Sequence, residues 1–531
     1  MKTAVQPSAS ARRIRIVLGA IVLLILLGGE RIWLAAHREV IAKDGIHYVM
    51  MARRVAENGL AKTISEMPWL HPGYSTVTAV VHGAMGGQDR ESWERAGTLV
   101  AFNASLVAML GVWALATKLI GSPQIGWVAA LLFGLGHKVA VLGADVGNDA
   151  MALAFAVWSL VAFLHAADVL AANRARAWLW AALGGLLSGL AYLTRPESAI
   201  VVPVALALWL AMVVRGRAKR APAAACMGVS LAGWALCAVP YMVAVGSLLG
   251  KWGGGYFDVA DAGGGWPVAM LLATGRGVAP AFGDVIAEFF EAQHPALGAM
   301  TCMYVVAWLL GRREALAPWR DTLPRPNRRG ALVMVTLVIL SLPVLTWRET
   351  VAEGSSRYLV LMAAVLAVLP AALLAAAGLL AASLVDMRQA RKRVFWGATI
   401  ALAVTLGAHA LRPMHSGDVY LRDAGLQLKA AAGADDVILS NSAYVLYYSE
   451  ADTLYRRDES TGTLAATRFQ PDKIARKRLA TFVALKGEAA SASLQADSEA
   501  MQRGGYRLWQ EIERHPGKTG GRLLRIWRAE P

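Results

Sequence analysis

The chain is 531 residues long, 56% hydrophobic and only 17% charged, with 53 Lys and Arg against 37 Asp and Glu and a formal net charge of +16. About a quarter of the residues in an ordinary soluble domain are charged, so composition excludes a chain that is soluble throughout. It also excludes a disordered chain and, with three cysteines, a disulfide scaffold.

A bilayer core takes about 20 mostly apolar residues per helix. Runs of that kind lie near 14–34, 95–117, 125–142, 149–167, 177–193, 197–214, 222–247, 295–311, 330–347, 358–385 and 394–411. They predict an α-helical polytopic membrane protein with about eleven spans over residues 1–411. The first run follows Arg12, Arg13 and Arg15. It is too long for a signal-peptide core and reads as a retained anchor. Basic residues gather in RGRAKR (215–220), in 312–329 and in DMRQARKR (386–393), while the short loops at 143–148 and 348–356 hold almost none. This is the positive-inside pattern. It predicts an inner (plasma) membrane protein with a cytoplasmic N-terminus, and with 35–94, 248–294 and the C-terminus outside. The +16 is then a topological signal, not a nucleic-acid footprint.

Residues 412–531 are more polar. VILSNS (437–442) and ATFVAL (480–485) read as buried strands, GLQLKAAAG as a helix and GGRLLRIWRAE as a closing strand. They predict a small extracytoplasmic α/β domain without a nucleotide-binding signature. The three cysteines fall inside predicted spans and show no metal-ligand spacing.

A charge in a bilayer is costly, so ionisable residues near spans are informative. Here they gather at the outer ends. Asp44 follows the first span in KDGIHYVMMARRVAENG. Ile46, Val49, Met50, Arg53 and Ala56 recur at helical spacing there, which predicts a short surface helix entered at Asp44–Gly45. Asp44 reads either as its cap or as a chemical group. His71–Pro72 opens a second helix with Pro near its first position. Asp145 and Asp149 bracket the turn GADVGNDA, Arg195 and Glu197 sit in LTRPES, and Arg357–Tyr358 stand where the tenth run begins. Taken singly, Asp149 reads as a helix cap, and Arg195 and Arg357 as interfacial anchors, with Tyr358 as a belt residue. His137 and Lys138 read as packing or snorkelling residues.

The ordered set changes these weights. DGIHYVMMARRVAENG, then HPGYSTVTAVV, then WERAGTLVAFNASLVAML with Arg95 opening the second span, then YLTRPES and SSRYLVLMAAVLAVLP, resembles the GT-C membrane glycosyltransferases. The likeness is to their family-39-like branch of protein O-mannosyltransferases, aminoarabinose transferases and RgtA/B/C/D-like relatives, over most of 14–411. The resemblance implies transfer of a monosaccharide from a polyprenyl-phosphate-linked donor to a lipid, glycan or protein acceptor on the outer face. Carried over by motif, Asp44 would be the general base, and Arg357 and Arg195 would face the donor phosphate. Tyr48, His71, Asp149, Glu197 and Tyr358 would line the substrate site. Many relatives carry Asp-Glu where this chain has Asp44–Gly45, so no second carboxylate adjoins Asp44. That weakens a divalent-metal site, which stays an open possibility, with no ligand assigned. His71 replaces the more frequent Lys of the "kPPl" segment.

The implied chemistry suits these residue types. A carboxylate accepts the proton of the attacking hydroxyl or amine, and a guanidinium stabilises the departing phosphate. The competing class, a transporter or flippase of a lipid-linked or small substrate, favours repeated halves and polar groups near the midplane. This chain has unrelated outer segments and ionisable groups at one face.

Overall fold

The computed structural model describes residues 9–246, 278–310, 322–351, 359–385, 388–433, 436–440, 442–450, 480–488, 491–514 and 522–529. They form two compact units: residues 1–36 with 48–412, and residues 37–47 with 413–531.

The first unit is helical. Among the described residues, seven helices are long and apolar enough to cross a membrane. They are α1 (Ala9–Ala36), α5 (Arg90–Ile120), α8 (Asp149–Val169), α9 (Arg174–Thr194), α10 (Val201–Val214, extended by a 3-10 turn over Pro196–Ile200), α11 (Arg220–Val245) and the pair α15 (Val360–Leu366) and α16 (Val368–Val385). α6 (Pro123–Gly134) and α7 (His137–Ala144) pass the same test only as a pair and meet at 73°, the geometry of a broken span or a re-entrant loop. Three further predicted runs coincide with α13 (Pro295–Leu310), which is shorter, and with α14 (Arg328–Val351) and α17 (Arg388–Ala410), which begin in basic residues. The expected outer segment holds α2 (Lys43–Asn58), α3 (Leu60–Glu66) and α4 (Pro72–Met85), and α12 (Val278–Gln293) precedes α13.

Helix packing inside lipid relies on small residues that let backbones approach. Gly185 and Gly189 of α9 show this: a Cβ at Gly185 would lie 2.0 Å from the Ser230 carbonyl oxygen of α11, and one at Gly189 would lie 2.7 Å from that of Trp234.

The continuous helix expected over 125–142 is broken, and a buried charge stabilises the break. Gly136 leaves the helical path between α6 and α7, at φ −63° and ψ 127°. Arg31 of α1, fully buried, donates from Nη2 to the Gly134 carbonyl at 3.0 Å. It also donates to the Leu27 carbonyl at 3.1 Å and to Ser105 Oγ of α5 at 3.0 Å, and it pairs with Glu30 at 3.0 Å. Unsatisfied backbone groups are costly in hydrocarbon, and this guanidinium satisfies one where the helix opens.

The second unit carries a four-stranded sheet in the order β1-β2-β4-β3, with β1 (Ile438–Ser440), β2 (Phe482–Glu488), β3 (Tyr506–Arg514) and β4 (Arg522–Ala529). β1 and β2 are parallel, and β4 runs antiparallel to both β2 and β3. GGRLLRIWRAE is therefore an inner strand, and β3 is the edge beyond it. Val483, Leu485, Tyr506, Leu523 and Trp527 form the core with Leu494 and Met501 of α20 (Ala492–Arg503). α18 (Val419–Ala431) packs on α19 (Ala443–Tyr448). The unit also claims residues 37–47. Arg422 donates to the Glu39 carbonyl at 3.0 Å, and the Ile41 amide donates to Tyr448 OH at 3.4 Å.

Candidate functional site

The end of α9 is set by Pro196. The residue before a proline is pushed out of helical conformation, and Arg195 is extended, at φ −149° and ψ 127°. Its side chain thereby leaves the helix and meets the start of α8. The buried guanidinium pairs with Asp149, and its Nε lies 3.4 Å from Glu197 Oε2. Asp149 occupies the first turn of α8, where the helix dipole favours negative charge; the N-cap position belongs to Asn148. Asn148 Nδ2 donates to the Thr194 carbonyl at 2.7 Å, which satisfies one of the last carbonyls of α9 and locks the two helix ends together.

α4 fits against this junction. Pro72 is its first residue and His71 precedes it in extended conformation, as the sequence predicts. Gly73 allows the approach, because a Cβ there would lie 2.8 Å from the Leu193 carbonyl oxygen. Tyr74, fully buried, donates to the Gly97 carbonyl at 2.7 Å and accepts from the Gly147 amide at 3.2 Å, so the turn between α7 and α8 is pinned to α4 and α5. Asp145, buried in that turn, accepts from the Val146 amide at 2.7 Å. Tyr48 meets Tyr74 edge to face at 5.5 Å, and its carbonyl accepts from Ser75 Oγ at 3.0 Å. His71, 2% exposed, stands against Tyr192 and Tyr241 at ring distances of 5.2 and 4.9 Å.

Tyr48, His71, Asp149, Arg195 and Glu197 are thus brought into one connected patch. Arg195 is held between the carboxylates of Asp149 and Glu197. Asp44 lies in the first turn of α2, half-buried, within the 37–47 stretch of the second unit. Arg357 and Tyr358 fall outside the described residues. Among the described residues no group of three or more His, Cys, Asp or Glu is placed to hold a metal ion.

A family model described as dolichyl-phosphate-mannose-protein mannosyltransferase matches residues 90–242. The comparison with curated proteins finds no match. Among solved structures, the chain is similar to ArnT from Cupriavidus metallidurans bound to undecaprenyl phosphate, at 14% identity and a TM-score of 0.55 over 98% of each chain. It is also similar to the oligosaccharyltransferase AglB from Archaeoglobus fulgidus in complex with an inhibitory peptide and a dolichol-phosphate, at 13% identity and a TM-score of 0.57, over 96% of this chain and 73% of that one. The chain has the GT-C glycosyltransferase fold.

Within this GT-C fold the family model spans α5 to α11, which carry Asp149, Arg195 and Glu197. Sequence reasoning missed the residues that hold those groups in place. Tyr74 stands in the quoted HPGY segment, and Asn148 adjoins Asp149, but their partners are backbone groups distant in sequence. Arg31 was also missed. Its signal was present: two adjacent charges, Glu30–Arg31, inside an apolar run.

Proposed function

We propose that the protein transfers a monosaccharide from a polyprenyl-phosphate-linked donor to a lipid, glycan or protein acceptor at the outer face of the inner membrane. In this reading the N-terminus is cytoplasmic and the second unit extracytoplasmic. The observation that carries it is the GT-C fold over nearly the whole chain, with its carboxylates and Arg195 gathered at one end of α8 and α9.

Asp44 accepts the proton of the acceptor hydroxyl or amine as that atom bonds to the anomeric carbon. The bond from that carbon to the phosphate oxygen breaks, and the polyprenyl phosphate leaves with the electron pair. One displacement inverts the anomeric centre, through a transition state with oxocarbenium character. The departing phosphate requires a preorganised cation. Arg195 shares its charge with Asp149 and Glu197, so it supplies part of that field, and Arg357 supplies the rest. Tyr48, His71, Asp149, Glu197 and Tyr358 line the substrate site.

Purified protein given a polyprenyl-phosphate sugar and an acceptor tests this. Asp44→Asn is expected to abolish transfer while thermal stability stays at the wild-type value. Full activity in that variant removes Asp44 as the base. An accumulated lipid-linked sugar in a strain lacking the protein would identify the donor.

A further inference from the structure

A cavity of about 590 Å³ opens between α1, the α5–α6 turn with α6, and α17. Its walls are apolar: Leu18, Val22 and Leu26 of α1, Trp127 and Leu131 of α6, and Trp396 of α17. Gly19 brings α1 against Trp127, since a Cβ there would lie 2.8 Å from the indole, and Trp127 stacks on Trp113 at 4.5 Å and 16°. The cleft opens outward from the helix bundle. Leu18, Val22 and Leu26 recur every four residues and are 55%, 55% and 51% exposed, so in a bilayer hydrocarbon must fill the space beside them.

Positive charge stands at one end of the cleft. Lys392 and Arg393, both exposed, stand one turn before Trp396 on α17. The apolar wall that α17 contributes therefore runs into a basic pair. Basic pockets between membrane helices on the cytoplasmic side suit anionic lipid headgroups.

That end lies far from the Asp149–Arg195 patch. Lys118, near the end of α5, pairs with Asp168 at 2.9 Å, so the α5–α6 turn sits at the C-terminal end of α8. Asp149 is at the other end of that 21-residue helix, about 30 Å away. A carrier with its phosphate at the Asp149 end would not present that phosphate to Lys392 and Arg393.

We propose that the cleft binds an anionic diacyl glycerophospholipid of the adjoining leaflet, with an acyl chain along Leu18, Val22, Trp127 and Trp396 and its phosphate at Lys392 and Arg393. The site is separate from the transfer site and stands whether or not the proposed reaction is correct.

The test uses the full chain, delipidated in a neutral detergent and titrated with dioleoylphosphatidylglycerol or dioleoylphosphatidylcholine, with bound lipid counted by native mass spectrometry. Phosphatidylglycerol should bind more tightly. Replacing two surface cations, as Lys392→Gln with Arg393→Gln, should weaken it by about 30-fold and leave phosphatidylcholine unaffected. Val22→Trp, at an exposed position, should fill the cleft and weaken both lipids. Equal binding of the two lipids, or phosphatidylglycerol binding unchanged in both variants, overturns the proposal. So does undecaprenyl phosphate displacing phosphatidylglycerol from the wild type while failing to bind Val22→Trp, since the cleft would then hold the carrier.

Discussion

His82, near the end of α4, stacks face to face on Trp93 of α5, with ring centroids 3.5 Å apart and planes 10° apart. Its Nε2 lies 3.0 Å from Ser92 Oγ. That hydroxyl donates to the Asp89 carbonyl at 2.7 Å. Burial and the cation of Arg53 hold the imidazole below its ordinary 6.5. Arg53 itself sits 5.8 Å from the Trp93 ring, a cation–π distance. As pH falls through about 6.5, the unfolded chain takes up a proton at this residue before the folded chain does, and stability is lost. The melting temperature of the wild type should therefore fall below pH 6.5 more steeply than that of His82→Gln, with the two curves parallel above pH 7. Parallel curves throughout would show that His82 does not titrate differently in the two states. Residue-scale detail of this kind is not legible in the sequence. His82 reads as one polar residue in an apolar helix until Trp93 and Ser92 are placed beside it.

At the scale of elements, most of the architecture was legible, because apolar runs of the right length become helices wherever lipid is the solvent. Helices occupy every predicted run, and β2 and β4 follow their apolar runs. The exceptions have physical causes. The α6–α7 break lies in Gly134-Leu135-Gly136, which does not interrupt a hydropathy pattern, and its stabilising contact comes from Arg31 more than 100 residues earlier. β3 was missed because it is an edge strand with a polar face, and a register shift between Leu508 and Gln510 breaks its alternation. In the candidate site, the charges at helix ends were legible, but the contacts of Tyr74 and Asn148 with distant backbone were not. Arg31 should dominate the stability of the α1–α5–α6 junction. Arg31→Met leaves the Glu30 carboxylate buried without its partner, and breaking a buried pair in this way costs about 3–5 kcal/mol. Glu30→Gln with Arg31→Met should be markedly more stable than Arg31→Met alone when both are melted in detergent. Equal melting temperatures for the two variants would mean that the pair is not coupled.

Across the whole molecule, the residues proposed for the reaction fall in both units. The helical unit supplies Tyr48, His71, Asp149, Arg195 and Glu197 on a scaffold of packed helices. The proposed base belongs to the second unit, in which residues 37–47 contact Arg422 of α18 and Tyr448 of α19. Arg422 of α18 makes a charged contact in that arrangement. It donates to the Glu39 carbonyl at 3.0 Å, lies 3.7 Å from the Glu39 carboxylate and pairs with Asp423 at 2.9 Å. Arg422 would then position Asp44 through the irregular segment 39–42 that precedes α2, and the acidic residue would be only as well placed as that segment. Misplacing a reacting group by about 1 Å can cost 10²-fold in rate. Arg422→Ala should accordingly lower kcat by about 10- to 100-fold and leave the KM for the lipid donor unchanged, because Arg195, the residue proposed to face the donor phosphate, belongs to the first unit. Arg422→Lys, which keeps the charge, should recover part of the rate. A rise in donor KM at unchanged kcat would place the tail in donor binding instead, and unaltered kinetics in Arg422→Ala would separate the tail from the position of Asp44.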